Sequence, residues 1–321
     1  MTQYSVFISK QNIQLLFSGN TIKLLVRILV TLSIFVLILH SIDIQQVWTI
    51  LKQVRLDMLA VAILVQFSST TVAAYRWQLI MHNLHFGQSF LFYWHSYFKA
   101  MFFNQGLPTS IGGDALRVFD VAAQGFRKRD ALYGIVLDRV SGLAALMLLN
   151  LLAYVSNPDL LPIQVYHVTL VLIIIGAIVV VFVASLKYLR WLDNYPQLAI
   201  VKAISTRLHQ AFLCNRTLLF VSSLLIPLLA ILVFFIIGQA LNLRYDPMTY
   251  FVIVPPAIYL TIIPISVAGW GVREGALVGL FSLIGADKPT VLAMSIIYGF
   301  TLIIISLPGL VIYLKGRHRV I

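Results

Sequence analysis

The sequence is poor in charge. Of 321 residues, 11% are Asp, Glu, Lys or Arg and 60% are hydrophobic. Soluble domains carry about 25% charged residues. Glutamate occurs once, at Glu274, and cysteine once, at Cys214. A lone cysteine excludes an internal disulfide, a CxxC redox pair and a thiolate metal site. The chain has no P-loop, no GxSxG, no HExxH and no DxD pair, so nothing in it marks a nucleotide, hydrolase or zinc-protease site. His82, His85 and His95 lack metal-ligand spacing and a nearby carboxylate, so no metal and no cofactor is expected.

What is present is apolar length. A spanning helix needs roughly 20 mostly apolar residues, and the chain offers about eight such stretches. Their hydrophobicity is continuous rather than alternating, which predicts helices and not a barrel. The expected spans are 23–42, 58–75, 88–105, 131–155, 163–186, 217–241, 248–263 and 290–313. Two further segments, 107–126 and 264–286, are broken by Pro and Gly and return toward the membrane. The fold class is therefore an all-α polytopic membrane protein, read as one domain over 1–321. Its halves are about 1–155 and 163–315, with a polar linker over 187–216. Within the linker, 196–212 has the spacing of an interfacial helix.

The net charge is +12, but the basic residues mostly lie in short loops, so anionic headgroups are the expected partner and not nucleic acid. If both returning segments cross, with the N-terminus inside, fifteen Lys and Arg fall inside. Arg76 is among them. Four fall outside and four, Lys99, Arg117, Arg139 and Arg273, lie at membrane depth. If neither crosses, the count is eight inside and eleven outside. The crossing topology satisfies the positive-inside rule. Both termini are then cytoplasmic, in a plasma (inner) membrane.

The returning segments open on related decamers, PTSIGGDALR at 108–117 and PISVAGWGVR at 264–273. They share Pro108 and Pro264, Ser110 and Ser266, Gly113 and Gly269, and Arg117 and Arg273. Under the crossing topology they enter from opposite sides, as in an inverted repeat. Pro stops the incoming helix. The serines are placed to cap the outgoing one. Gly112, Gly113, Gly269 and Gly271 permit a tight turn with open amides. A helix start with an arginine is suited to phosphate. Charge at membrane depth costs about 2.5–3.5 kcal/mol at the centre, so each such residue needs a partner or a wet cavity. Asp114, Arg117 and Asp120 are three apart and can share a helix face. Asp138 and Arg139 follow on the next helix, where Asp138 can pair with Arg117, and Arg139 with Asp114 or Asp120. Glu274 sits beside Arg273. Lys99 is read as snorkelling, and Tyr75, Trp77, Tyr93 and Trp94 as an interfacial aromatic belt.

The run GGDALRVFDVAAQGFRKRDALYGIVLDRVSGLAALML resembles the GGDA-x-R … DR-x-x-G-L signature of the lysylphosphatidylglycerol synthase transmembrane-region, or flippase-like, family. It matches at Gly112, Gly113, Asp114, Ala115, Arg117, Asp138, Arg139, Gly142 and Leu143. PISVAGWGVREGALVGLFSLIG is similar to its second signature, through Pro264, Gly269, Gly271, Arg273 and Glu274. The resemblance implies a protein that moves a charged lipid between leaflets. The family's best-known members carry an aminoacyl transferase domain and make lysyl-phosphatidylglycerol. Here only KGRHRVI follows the last helix, so no synthase is expected in this chain, and a separate synthase or transferase is a possible partner. Single-domain relatives are linked to hopanoid and polyprenyl-linked glycan pathways, which leaves the cargo open.

The leading expectation is a lipid translocase in which Arg117 and Arg273 grip a phosphate across a central cavity. The alternatives are an intramembrane transferase on a lipid phosphate, using Asp114, Asp120 or Asp138, and a non-catalytic partner subunit. The missing nucleotide motif and soluble domain disfavour the enzyme.

Overall fold

The computed structural model describes residues 19–106, 111–189, 202, 205–210, 215–263 and 265–317. Pro108, Ser110, Pro264, Cys214 and most of the expected interfacial helix lie outside the described residues. The described helices are α1 (Gly19–Ser41), α2 (Ile44–Lys52), α3 (Leu56–Asn83), α4 (Phe90–Gly106), α5 (Ile111–Ala122), α6 (Lys128–Ser156), α7 (Ile163–Ser185), α8 (Arg216–Ala240), α9 (Pro247–Ile262), α10 (Val272–Ser282) and α11 (Lys288–Arg317). No strand occurs among the described residues.

Among the described residues five helices are long and apolar enough to cross a membrane: α3, α6, α7 (with the short 3-10 turn that extends it to Tyr188), α8 and α11. Helices α4 and α9 have 17 and 16 residues, roughly 25 Å at 1.5 Å per residue. That is short of the ~30 Å hydrocarbon core. Each is followed by a still shorter helix, α5 or α10, of 12 or 11 residues. Helix α5 folds back along α4. Gly113 N–H donates to Asn104 Oδ1 at 2.8 Å, and Lys99 meets Asp120 at 2.7 Å. A Cβ at Gly113 would strike the Ala100 carbonyl and the Asn104 side chain, so glycine here serves close approach. Neither Gly112 nor Gly113 has positive φ, which corrects the expected turning role. The second decamer does turn, with left-handed Ala268, Gly269 and Gly271 before α10.

Two elements differ from the sequence expectation. Helix α2, capped by Asp43 on Gln45 N–H, lies where a loop was expected. The second span runs on to Asn83, not Tyr75, because Trp77, Leu79, Ile80 and Met81 continue the apolar face. Arg76 therefore belongs to a spanning helix and not to a cytoplasmic loop.

Helices α3 to α6 and α8 to α11 pack in the same pattern. The pair α3–α4 matches α8–α9, α4–α5 matches α9–α10, and α5–α6 matches α10–α11. Across the halves, α4–α11 matches α9–α6. Details repeat as well. Helices α3 and α8 end on left-handed His85 and Asn242. The next amides, of Phe86 and Leu243, return to Met81 O and Gly238 O, closing the helix ends as Schellman-type caps. The buried Tyr93 and Tyr250 hydroxyls then donate to Phe86 O at 2.8 Å and Leu243 O at 3.1 Å. Each pair is 157 residues apart.

The separation of 157 also relates Ser69 to Ile226, and Ser69 Oγ donates to Ile226 O at 3.2 Å. Arg55 N–H, at the start of α3, meets Ala240 O at the end of α8. The two helices are therefore antiparallel and related by a two-fold axis near Ser69, lying across them. Such an axis inverts one half relative to the other. Lipid tails are as apolar as leucine, so small side chains that let backbones approach hold such a seam. Ser69 sits on it, and Ala62 and Ala73 on α3 and Ser222 on α8 are likewise small and buried.

Candidate functional site

In the first half, five ionised side chains from three helices alternate in sign. Arg76 on α3 donates through Nε and Nη2 to Asp138 Oδ1, at 2.9 and 2.8 Å, and through Nη2 to the Asp138 carbonyl at 3.0 Å. Asp138 Oδ2 on α6 accepts from Arg117 Nη2 at 2.9 Å. Arg117 on α5 reaches Asp114 Oδ1 at 3.2 Å, and Asp114 Oδ2 accepts from Arg139 at 3.0 Å. The order is Arg76, Asp138, Arg117, Asp114, Arg139. Three guanidiniums face two carboxylates, so the network carries one net positive charge.

Burial runs in one direction along this series. The side chains of Arg76, Asp138 and Arg117 are buried, Asp114 is 15% exposed, and Arg139 is 55% exposed. Arg117 is also sandwiched by aromatics, with Cζ 4.0 Å from the Trp77 ring and 4.8 Å from the Tyr97 ring. A desolvated cation–π contact contributes about 2 kcal/mol. Arg139 lies eight residues beyond the start of the apolar stretch at Ala131, roughly 12 Å along α6, within the ~30 Å hydrocarbon core and nearer the end that carries Lys128 and Arg129.

The expected pairings of Arg117 with Asp138 and of Arg139 with Asp114 are present. Asp120 behaves otherwise: it pairs with Lys99 on α4, because that side of α5 faces α4. Lys99 is accordingly a paired residue and not a snorkelling one. Trp77 and Tyr93 are fully buried, which removes them from the expected aromatic belt. Arg76 was missed. Its signal in the sequence is the apolar continuation just after it.

The second half holds its arginine differently. Arg273 is the second residue of α10, bonded through Nε and Nη2 to Glu274 Oε1 at 3.1 and 2.6 Å and through Nε to Ser295 Oγ at 3.1 Å. Glu274 Oε2 accepts the Gly271 amide at 2.6 Å, one arm of a capping box. Ser266, expected as a cap, lies buried before the turn, and Gly271 stands at the cap position. Two of the amides expected to stay open are thus used, by Asn104 at Gly113 and by Glu274 at Gly271. The carboxylate of Glu274 fills the anion position at the α10 N-terminus. Arg273 also lies over Trp270 and Tyr298, at 5.0 and 5.3 Å. Among the described residues no hydrogen bond or ion pair joins the Arg117 and Arg273 groups. No group of three His, Cys, Asp or Glu that could hold a metal occurs among the described residues.

A broken-helix bundle with an ionic network at membrane depth defines a polytopic membrane protein. The model of the family described as lysylphosphatidylglycerol synthase TM region matches residues 24–309, and the chain belongs to that family. It is thereby a membrane protein of lipid metabolism or transport. A comparison with curated proteins gives no match.

Proposed function

We propose that the protein moves an anionic lipid, a phospholipid or a polyprenyl-phosphate-linked lipid, between membrane leaflets. The headgroup is handled by the first-half network, and Arg139 is the residue that meets it. One observation carries this reading: the network has an excess positive charge and only one well-exposed member, placed within the hydrocarbon layer. An arginine there binds phosphate bidentately. Asp114 orients Arg139, while Asp138 and Arg117 hold Asp114 in place. Arg273 and Glu274 form a closed neutral pair whose arginine reaches a phosphate only when Glu274 is displaced.

Orientation follows from the ends of the bundle. Arg127, Lys128, Arg129, Lys187, Arg207 and Arg216 lie at one end with Asp130. Lys52, Arg55, Arg244 and Lys288 lie at the other with Asp43, Asp57, Asp159, Asp246 and Asp287. The basic end is the cytoplasmic one under the positive-inside rule, in a plasma membrane.

The test uses protein reconstituted into vesicles with fluorescent phosphatidylglycerol, quenched from outside. Wild-type protein exposes the inner-leaflet probe, and Arg139→Gln slows this at least tenfold while keeping the wild-type elution profile. Wild-type movement by Arg139→Gln overturns the assignment.

A further inference from the structure

We infer that Arg76 is the residue that makes this network select anions, acting from its buried end without touching the lipid. The inference rests on the proposed headgroup role of Arg139. Four of the five charges are balanced: Arg117 and Arg139 against Asp114 and Asp138. Arg76 is the fifth, and the excess charge exists because of it.

The geometry shows how the effect reaches Arg139. Arg76 takes Asp138 Oδ1 with two N–H groups and leaves only Oδ2 for Arg117. Arg117 therefore spends its other terminal nitrogen on Asp114 Oδ1, at a longer 3.2 Å. Asp114 is shared in turn, and only Oδ2 neutralises Arg139. Without Arg76, both oxygens of Asp138 are open to Arg117, in the forked pairing that guanidinium and carboxylate favour. Asp114 then belongs wholly to Arg139, which becomes half of a neutral pair.

Arg76 is held for this task. Its guanidinium lies along Gly142, where a Cβ would come within 3.2 Å of both Nη1 and Nη2. The Asp138 carbonyl fixes Nη2, and Nη1 has no hydrogen-bond partner among the described residues. In the second half, 157 residues on, the equivalent position is Val233, so the fold alone does not require a cation there.

The experiment compares phosphatidylglycerol with phosphatidylcholine. Two readouts are taken: movement in reconstituted vesicles, and the ratio of the two lipids retained from an equimolar mixture by native mass spectrometry. Arg76→Gln brings the anionic-to-zwitterionic ratio down about tenfold, toward one. Arg76→Lys keeps the ratio, because the charge is kept. Arg76→Gln with Asp138→Asn removes one charge of each sign and restores the excess, so the ratio returns toward wild type. A merely structural Arg76 gives another pattern: all variants lose both lipids together and the ratio stays fixed. That outcome overturns the inference, as does a double variant no more selective than Arg76→Gln. If Arg76→Gln does not fold, the Lys and double variants decide the matter, and loss of selectivity in both overturns it. If wild-type protein moves neither lipid, the translocase reading fails and the retained-lipid ratio still judges Arg76.

Discussion

The two halves carry the arginine of the same decamer, as the seventh residue of α5 and the second of α10, and give it opposite company. Arg117 meets carboxylates three residues away and on the next helix, and it passes charge along a row that ends at an exposed guanidinium. Arg273 meets the carboxylate of its own neighbour, and both are enclosed. The substitutions behind this can be read off the repeat. Asp114 becomes Trp270 in the decamer alignment, and Arg76 becomes Val233. Counting thirteen residues on from the left-handed Gly125 and Gly285, Asp138 becomes Tyr298. A duplicated framework thus carries a five-member ionic network in one half and a single enclosed ion pair in the other, with aromatic rings over the arginine in both. The arginine is what the framework shares, and the charge state is what each half adds.

Removing one partner of a buried ion pair costs about 3–5 kcal/mol, and this ranks the ways to test the contrast. Asp138→Ala strands the buried Arg76 and leaves Arg117 with Asp114 alone, so its cost should sit near 5 kcal/mol, the top of that range. Glu274→Ala strands one, with Ser295 still in reach, and should cost about 3 kcal/mol. Thermal unfolding of both variants in the same detergent checks the order. An equal or reversed order means that the two halves do not differ as described. Next come the repeated tyrosines. Tyr93→Phe and Tyr250→Phe each delete one buried hydrogen bond to a loop carbonyl and should each lose about 1 kcal/mol. A difference above roughly 1 kcal/mol between them breaks the equivalence of the caps. A smaller loss than at the buried ion pairs is expected at Arg139→Gln, about 1 kcal/mol, because Asp114 gives up one arginine and keeps Arg117. Its effect is expected on lipid movement, the reverse of the buried positions.

Much of the framework was legible because apolar runs and Pro/Gly breaks are written in single residues. Continuous hydrophobicity marked the long helices, and the shared Pro, Ser, Gly and Arg marked the broken ones. Asp138 opposite Arg117 followed from cost, since a buried carboxylate needs a cation on another helix. Arg76 was hidden by the same reasoning: an arginine at the edge of an apolar window looks like a loop charge. Only the packing of Trp77, Ile80 and Met81 shows that the helix continues inside the bundle. The roles of the glycines were beyond reach for a different reason. Gly113 and Gly271 look alike in a decamer. One makes room for a neighbouring helix and the other takes a positive φ, and this depends on what lies beside each.

The antiparallel seam between α3 and α8 also bears on how the protein is made. Ser69 and its partner carbonyl at Ile226 are 157 residues apart. Ribosomes add about 5–20 residues per second, so α3 waits on the order of 8–30 s in the bilayer before α8 reaches it. During that interval the polar stripe around Ser69, whose hydroxyl bonds the Ile226 carbonyl in the finished fold, has no α8 to pack against. A nascent chain halted after α6 should therefore crosslink through α3 to whatever insertion factor or lipid shelters that stripe, and lose the crosslink once α8 has been synthesised.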